Sequence, residues 1–139
     1  MDAFLTIEAQ QTLRAVKAIT PRRNAAGLLI GHKRGRRFFV EKAFPVPRGF
    51  RPSFKNLEIL DTIFEGRIIG FFQVNPGERN ERDLLQPFAC GKLFLAIESR
   101  SATSSILIGY LIDYDGRYIL EQIPVALEAA LPKKGRPRA

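Results

Sequence analysis

The sequence predicts an α/β domain in which a mixed, curved sheet is flanked by helices. Three observations lead there. The periodic segments run in the order helix, two strands, helix, strand, short helix, three strands. Two of the strands, 68–72 and 106–112, are almost continuously apolar, as central strands covered on both faces are. The chain has 139 residues, 45% of them hydrophobic and eleven of them Phe, which is enough for one core. One domain is expected over 1–131. Residues 132–139, rich in Pro, Gly and charge, read as a disordered basic tail.

Each element has its own signal. Residues 6–19 form a predicted helix with Thr6 as N-cap and Glu8 in the first turn; Ala9, Leu13 and Val16 share a face, and Pro21 ends it. The glycine-bounded run from Ala26 to Gly31 suits a buried strand. Lys33 to Arg37 around Gly35 reads as a turn into a second strand through Phe38, Phe39 and Val40. Pro45, Pro47, Gly49 and Pro52 make 45–52 a loop. Ser53 caps a helix over 54–65 with Leu57, Leu60 and Phe64 on one face and Gly66 as its stop. Arg67 to Phe72 is a strand, 73–81 a polar loop, and Asn80 the cap of a short helix through Asp83, Leu84 and Leu85. Strands follow near 92–98, 105–113 and 117–123, the last two joined at Asp115-Gly116. Pro124 reads as the first residue of a short helix to Leu131.

The net charge is +8. Lys33, Arg34, Arg36 and Arg37 crowd one hairpin, and Lys133, Lys134, Arg136 and Arg138 the tail. Such runs attract phosphates or an acidic partner, although exposed turns also carry charge for solubility alone. No apolar stretch reaches the length of a membrane span and no secretory signal is evident at the start, so no membrane partner is expected. With Cys90 as the one cysteine, a cytoplasmic, reducing compartment is the expectation.

Gly27 and Gly31 on one strand, with Gly70 and Pro76 around the Gln73-Val74-Asn75 turn, resemble the JAMM/MPN domain family. Its active members carry a Glu before the Gly-Leu-Leu strand, a His-x-His-Pro turn and a Ser-x-x-Asp step. The resemblance implies a cytidine-deaminase-like three-layer architecture and a zinc-dependent isopeptidase or peptidase. In those members the two His and the Asp bind zinc, the Glu activates the zinc water, and the Ser helps polarise the substrate. Here Asn24 stands at the Glu position, Gln73 and Asn75 at the two His positions, Asn80 at the Ser and Asp83 at the Asp. That last placement requires a shortened loop; without it Asp83 falls on the Ser and Gln86 on the Asp. A catalytic zinc takes three imidazole, thiolate or carboxylate ligands, and amides are poor substitutes. No general base remains at position 24. The sequence therefore implies no metal, no cofactor and no catalytic residue, with Asn24, Gln73, Asn75, Asn80 and Asp83 as a remnant pocket.

Other candidates have plainer readings. His32 beside Lys33 reads as a solvated turn residue, Cys90 as a buried thiol, Ser101 to Ser105 as a loop, and Asp113 with Asp115 as hairpin-turn residues. Lys134-Gly135-Arg136-Pro137-Arg138 resembles the AT-hook, whose extended core lies in the narrow minor groove of DNA. The leading expectation is a non-catalytic, MPN-like binding or scaffold domain with a protein partner, which also allows a homo-oligomer. One alternative is a metal-dependent peptidase rearranged around Glu78, Glu81 and Asp83. The other is a nucleic-acid-associated protein using Lys33, Arg34, Arg36, Arg37, Lys134, Arg136 and Arg138.

Overall fold

A computed structural model of the protein describes residues 1–19, 25–46, 54–76, 87–99 and 105–129. The elements are β1 (Asp2–Leu5), α1 (Ile7–Ile19), β2 (Ala26–Arg34), β3 (Arg37–Pro45), α2 (Phe54–Ile63), β4 (Ile68–Val74), β5 (Leu93–Ser99), β6 (Ser105–Tyr114), β7 (Tyr118–Ile123) and β8 (Val125–Leu127). A single 3₁₀ turn at Pro87–Ala89 precedes β5. The strands form one sheet in the order β7-β6-β5-β4-β2-β3-β1-β8.

This corrects the expected fold class. The described chain is mostly strand, curled into a nearly closed, barrel-like sheet with two short helices, and it is not a three-layer α/β sandwich. The reason lies at the two ends. Asp2 to Leu5, which carries no helix signal, pairs in parallel with both β3 and β8. Pro124 starts a strand and not a helix: its carbonyl accepts the Ala3 N–H at 3.0 Å, and Val125 continues beside Ala3. The chain thus leaves β6 through β7 and arrives at the far edge of the sheet within one turn, which draws the two edges together.

Two bulges tighten the curl. On one side of Ile30 the pairing skips Glu41, and on the other it skips Ile69. An extra residue bends a strand and increases its twist. The inner face then buries Leu5, Leu29, Phe38, Val40, Phe72 and Leu95, closed off by Ala9 and Leu13 of α1. On the outer face Leu28, Ile30, Phe71 and Phe94 are covered by Leu60 of α2 and by Phe64 in the turn that follows it. The predicted helix faces hold at these positions; the side chain of Leu57 lies outside the described set.

Local chemistry explains the starts and turns. Thr6 caps α1, its Oγ1 accepting the Ala9 N–H at 3.2 Å and donating to the Glu41 carbonyl at 2.8 Å. Gly35, at φ 60°, supplies the first position of the two-residue turn between the paired residues Arg34 and Arg37. The hairpin turn is therefore tighter than its sequence reads, and Lys33 and Arg34 belong to β2. No helix among the described residues is long and apolar enough to cross a membrane.

Candidate functional site

The sequence-derived pocket is only partly within the described residues. Asn24, Asn80 and Asp83 fall outside them, as do Glu78, Glu81, Ser101, Thr103, Ser104 and the tail residues Lys133, Lys134, Arg136 and Arg138. Gln73 is not in a loop. It sits in β4 between its partners Ala26 and Ala96, 8% exposed, because a strand flanked on both sides extends its ladder to Val74. Its side-chain oxygen is buried without a hydrogen bond among the described residues. Asn75 ends the strand at φ 49°, a conformation Asn tolerates better than most residues. Among the described residues no group of three His, Cys, Asp or Glu can hold a metal ion.

The buried amide of Gln73 carries a desolvation cost that an apolar residue of the same length avoids. Gln73→Leu is expected to raise the unfolding free energy by about 1 kcal/mol, read by urea denaturation. A loss of stability would show that the amide has a partner in solution.

The glycines that carried the family resemblance have structural work in this sheet. A Cβ on Gly27 would lie 2.3 Å from the Phe72 ring, one on Gly31 would lie 1.9 Å from the Phe39 carbonyl oxygen, and one on Gly70 would lie 2.2 Å from that of Leu93. The curl itself demands these three positions.

The chemistry that the fold does assemble lies at the hairpin end of the sheet. Lys33, Phe38, Gly66, Arg67, Ile69 and Lys92 surround an open cleft of about 460 Å³. Lys33 comes from β2, Arg67 from the turn after α2, and Lys92 from the residue before β5. The Lys33 ammonium lies 5.3 Å from the centre of the Phe38 ring. Lys92 is half-buried and its Nζ donates to the Ile68 carbonyl at 2.8 Å. Burial pushes its pKa below the ordinary lysine value, partly opposed by Asp61 on α2. Glu41, beside the bulge, accepts a hydrogen bond from Arg67 and shares a 3.4 Å contact with His32 Nδ1. Burial raises the Glu41 pKa, but Arg67 and His32 outweigh it and hold the carboxyl below its usual range.

The outer side of the same hairpin is aromatic and cationic. His32, which lies in β2 and not in the turn, stacks on Phe39 with centroids 5.0 Å apart and planes 13° from parallel. The Arg34 guanidinium sits 5.7 Å from the Phe39 centroid, and Arg37 lies 5.9 Å from both Phe4 and Phe39. Arg37 is committed: it grips Asp2 with two hydrogen bonds, of 2.9 and 2.7 Å, joining β3 to β1. That bond holds the Asp2 carboxyl below its usual range. Lys33, Arg34, Arg36 and Lys92 have no ion pair among the described residues.

Arg67 and Lys92 were not legible as site residues, because only the fold brings them to Lys33. Cys90 is exposed, not buried: it lies in the turn ahead of Gly91, away from the apolar strand that follows. Asp113 is not in the turn: it lies in β6, paired with Ile119, and its side chain accepts the Tyr114 N–H at 2.8 Å.

No protein-family model and no curated protein matches the chain. Among solved structures, the solution structure of protein DSY2949 from Desulfitobacterium hafniense is similar, with a TM-score of 0.70 and 18% identity over 98% of this chain and 99% of that chain. This likeness is one of fold alone.

Proposed function

We propose that this chain is a non-catalytic binding domain whose ligand is single-stranded nucleic acid, held at the β2–β3 hairpin end of the sheet. One observation carries the reading: Lys33 and Lys92 line one cleft, Arg34 and Arg36 stand on the hairpin beside it with the half-exposed His32–Phe39 stack, and none of the four cations has an ion pair among the described residues. Phosphates suit the cations, and a half-exposed ring such as His32 on Phe39 gives a base a surface to stack on. Lys134, Arg136 and Arg138 add to the positive charge of the sequence. The non-catalytic part of the reading is supported by the amides Gln73, in β4, and Asn75, just after it, which stand where the resemblance would place zinc-binding imidazoles. Stoichiometric zinc in the purified protein would overturn that part.

The test is fluorescence anisotropy with a labelled single-stranded oligonucleotide at several salt concentrations. Four phosphate contacts give a slope of log affinity on log salt of about −3. A slope near zero, or equal affinity for an uncharged oligonucleotide analogue, overturns the proposal.

Lys92 separates binding from folding. A lysine whose folded pKa is depressed makes charging costly in the native state. That cost is present below the folded pKa and is relieved above the unfolded one, so at neutral pH the ammonium is no stabiliser of the fold. Lys92→Met is expected to keep the unfolding free energy within about 1 kcal/mol of the native protein. It is expected to weaken oligonucleotide binding about threefold in moderate salt and make the slope shallower by about 0.7. The difference between the two proteins closes as pH rises and Lys92 loses its charge before ordinary lysines do.

A further inference from the structure

Beside α1 the nearly closed sheet leaves a gap. β6 pairs with β7 only from Gly109 to Tyr114, so among the described residues Ser105 to Ile108 are bonded on one side, to β5. β8 is likewise bonded on one side, to β1. The two strands meet at Gly109, where a Cβ would lie 2.7 Å from Val125 Cγ2. Away from that point Leu107 and Val125 stand on facing walls of a groove of about 300 Å³, with Leu13 and Ile97 among its apolar lining. Arg14 and Lys17, about one turn apart on α1, also line it, and among the described residues no carboxylate does.

We infer that this groove binds an extended, acidic peptide segment of a protein partner, which adds as a further strand along the open edge of β6. Each feature selects for that occupant. An unbonded strand edge offers N–H and C=O groups in the spacing of another strand. A segment lying there turns alternate side chains inward, toward Leu13, Ile97, Leu107 and Val125, so those positions must be apolar. Arg14 favours carboxylates on the segment and disfavours a basic one. The site shares no residue with the basic cleft, so the inference stands apart from the nucleic-acid reading.

The probe is a fluorescent, N-acetylated peptide of alternating valine and glutamate, with an alternating valine–lysine peptide as its control. Saturable binding of the acidic peptide is expected, with slowed amide exchange along 105–108 and no binding of the control. Arg14→Glu is expected to weaken it about tenfold. N-methylation of every second peptide residue is expected to abolish binding in one of its two phases, because only one phase faces β6. Neutralising Lys33, Arg34 and Arg36 together is expected to leave peptide binding intact. Equal binding of both peptides, full binding of both N-methylated forms, or no binding at millimolar peptide each overturns the inference. Binding of decanoate without the peptide would reassign the groove to an acyl chain and overturn it equally.

Discussion

Gly70→Ala destabilises the fold by about 3 kcal/mol or more, enough to move a small domain's urea midpoint by a molar unit or so. The methyl group would lie 2.2 Å from the Leu93 carbonyl oxygen and 2.9 Å from the carbon that bears it. Both are backbone atoms of β5, paired in register with Gly70, so they cannot swing aside as a side-chain tip can. Gly31→Ala meets the same obstacle at the Phe39 carbonyl, inside the bulge that exposes Glu41. Gly35→Ala is the informative control: nothing lies within 4 Å of its Cβ, and only the positive φ of 60° is strained. Its cost is expected to be about 1 kcal/mol. If Gly70→Ala unfolds at the native urea midpoint, β4 and β5 are not paired as described.

Replacing Lys33, Arg34, Arg36 and Lys92 together by Gln, Gln, Gln and Met lowers affinity for a single-stranded oligonucleotide about a hundredfold at low salt, with most of the salt dependence removed. The expected effect is large because these cations have no ion pair among the described residues and stand at one end of the sheet. Arg37→Gln belongs to a different class. Its guanidinium already joins Asp2, so its loss is expected to loosen β1 from β3 more than it weakens binding. The fold should survive the fourfold change, since none of the four side chains is fully buried, and circular dichroism checks this. Unchanged affinity in a folded variant would remove the cleft from the account and leave the tail to explain any binding.

What was legible in the sequence was local. Thr6 capped the first helix from its position before an apolar periodic run, and Leu60 and Phe64 faced the sheet as their spacing required. Gly35 and Gly116 marked the hairpins through turn chemistry that few other residues satisfy. What was not legible was pairing between distant segments. Asp2–Leu5 and Val125–Leu127 are too short for a periodic signal, and each is a strand because the other lies beside it. Pro124 carries the same message before a helix or at the start of an edge strand, and only β1 decides between them. The bulges at Glu41 and Ile69 depend on register, which a single strand's sequence does not contain.

The site divides in the same way. The run Lys33, Arg34, Arg36 and Arg37 is visible as charge, but its division into unpaired cations and an Arg37 tied to Asp2 is tertiary. The resemblance read at Gly27, Gly31 and Gly70 drew attention to Gln73 and Asn75. In the fold those glycines answer to close backbone and ring approaches, and Gln73 is a sheet residue.

The most direct test of the central claim is a titration of the ¹⁵N-labelled protein with a short single-stranded oligonucleotide, followed by amide chemical shifts. The account predicts shifts concentrated at 31–39, 66–69 and 91–92, lost in the variant lacking Lys33, Arg34, Arg36 and Lys92. Shifts centred on 73–76 or on α1 and β8, with residues 31–39 unmoved, would contradict it.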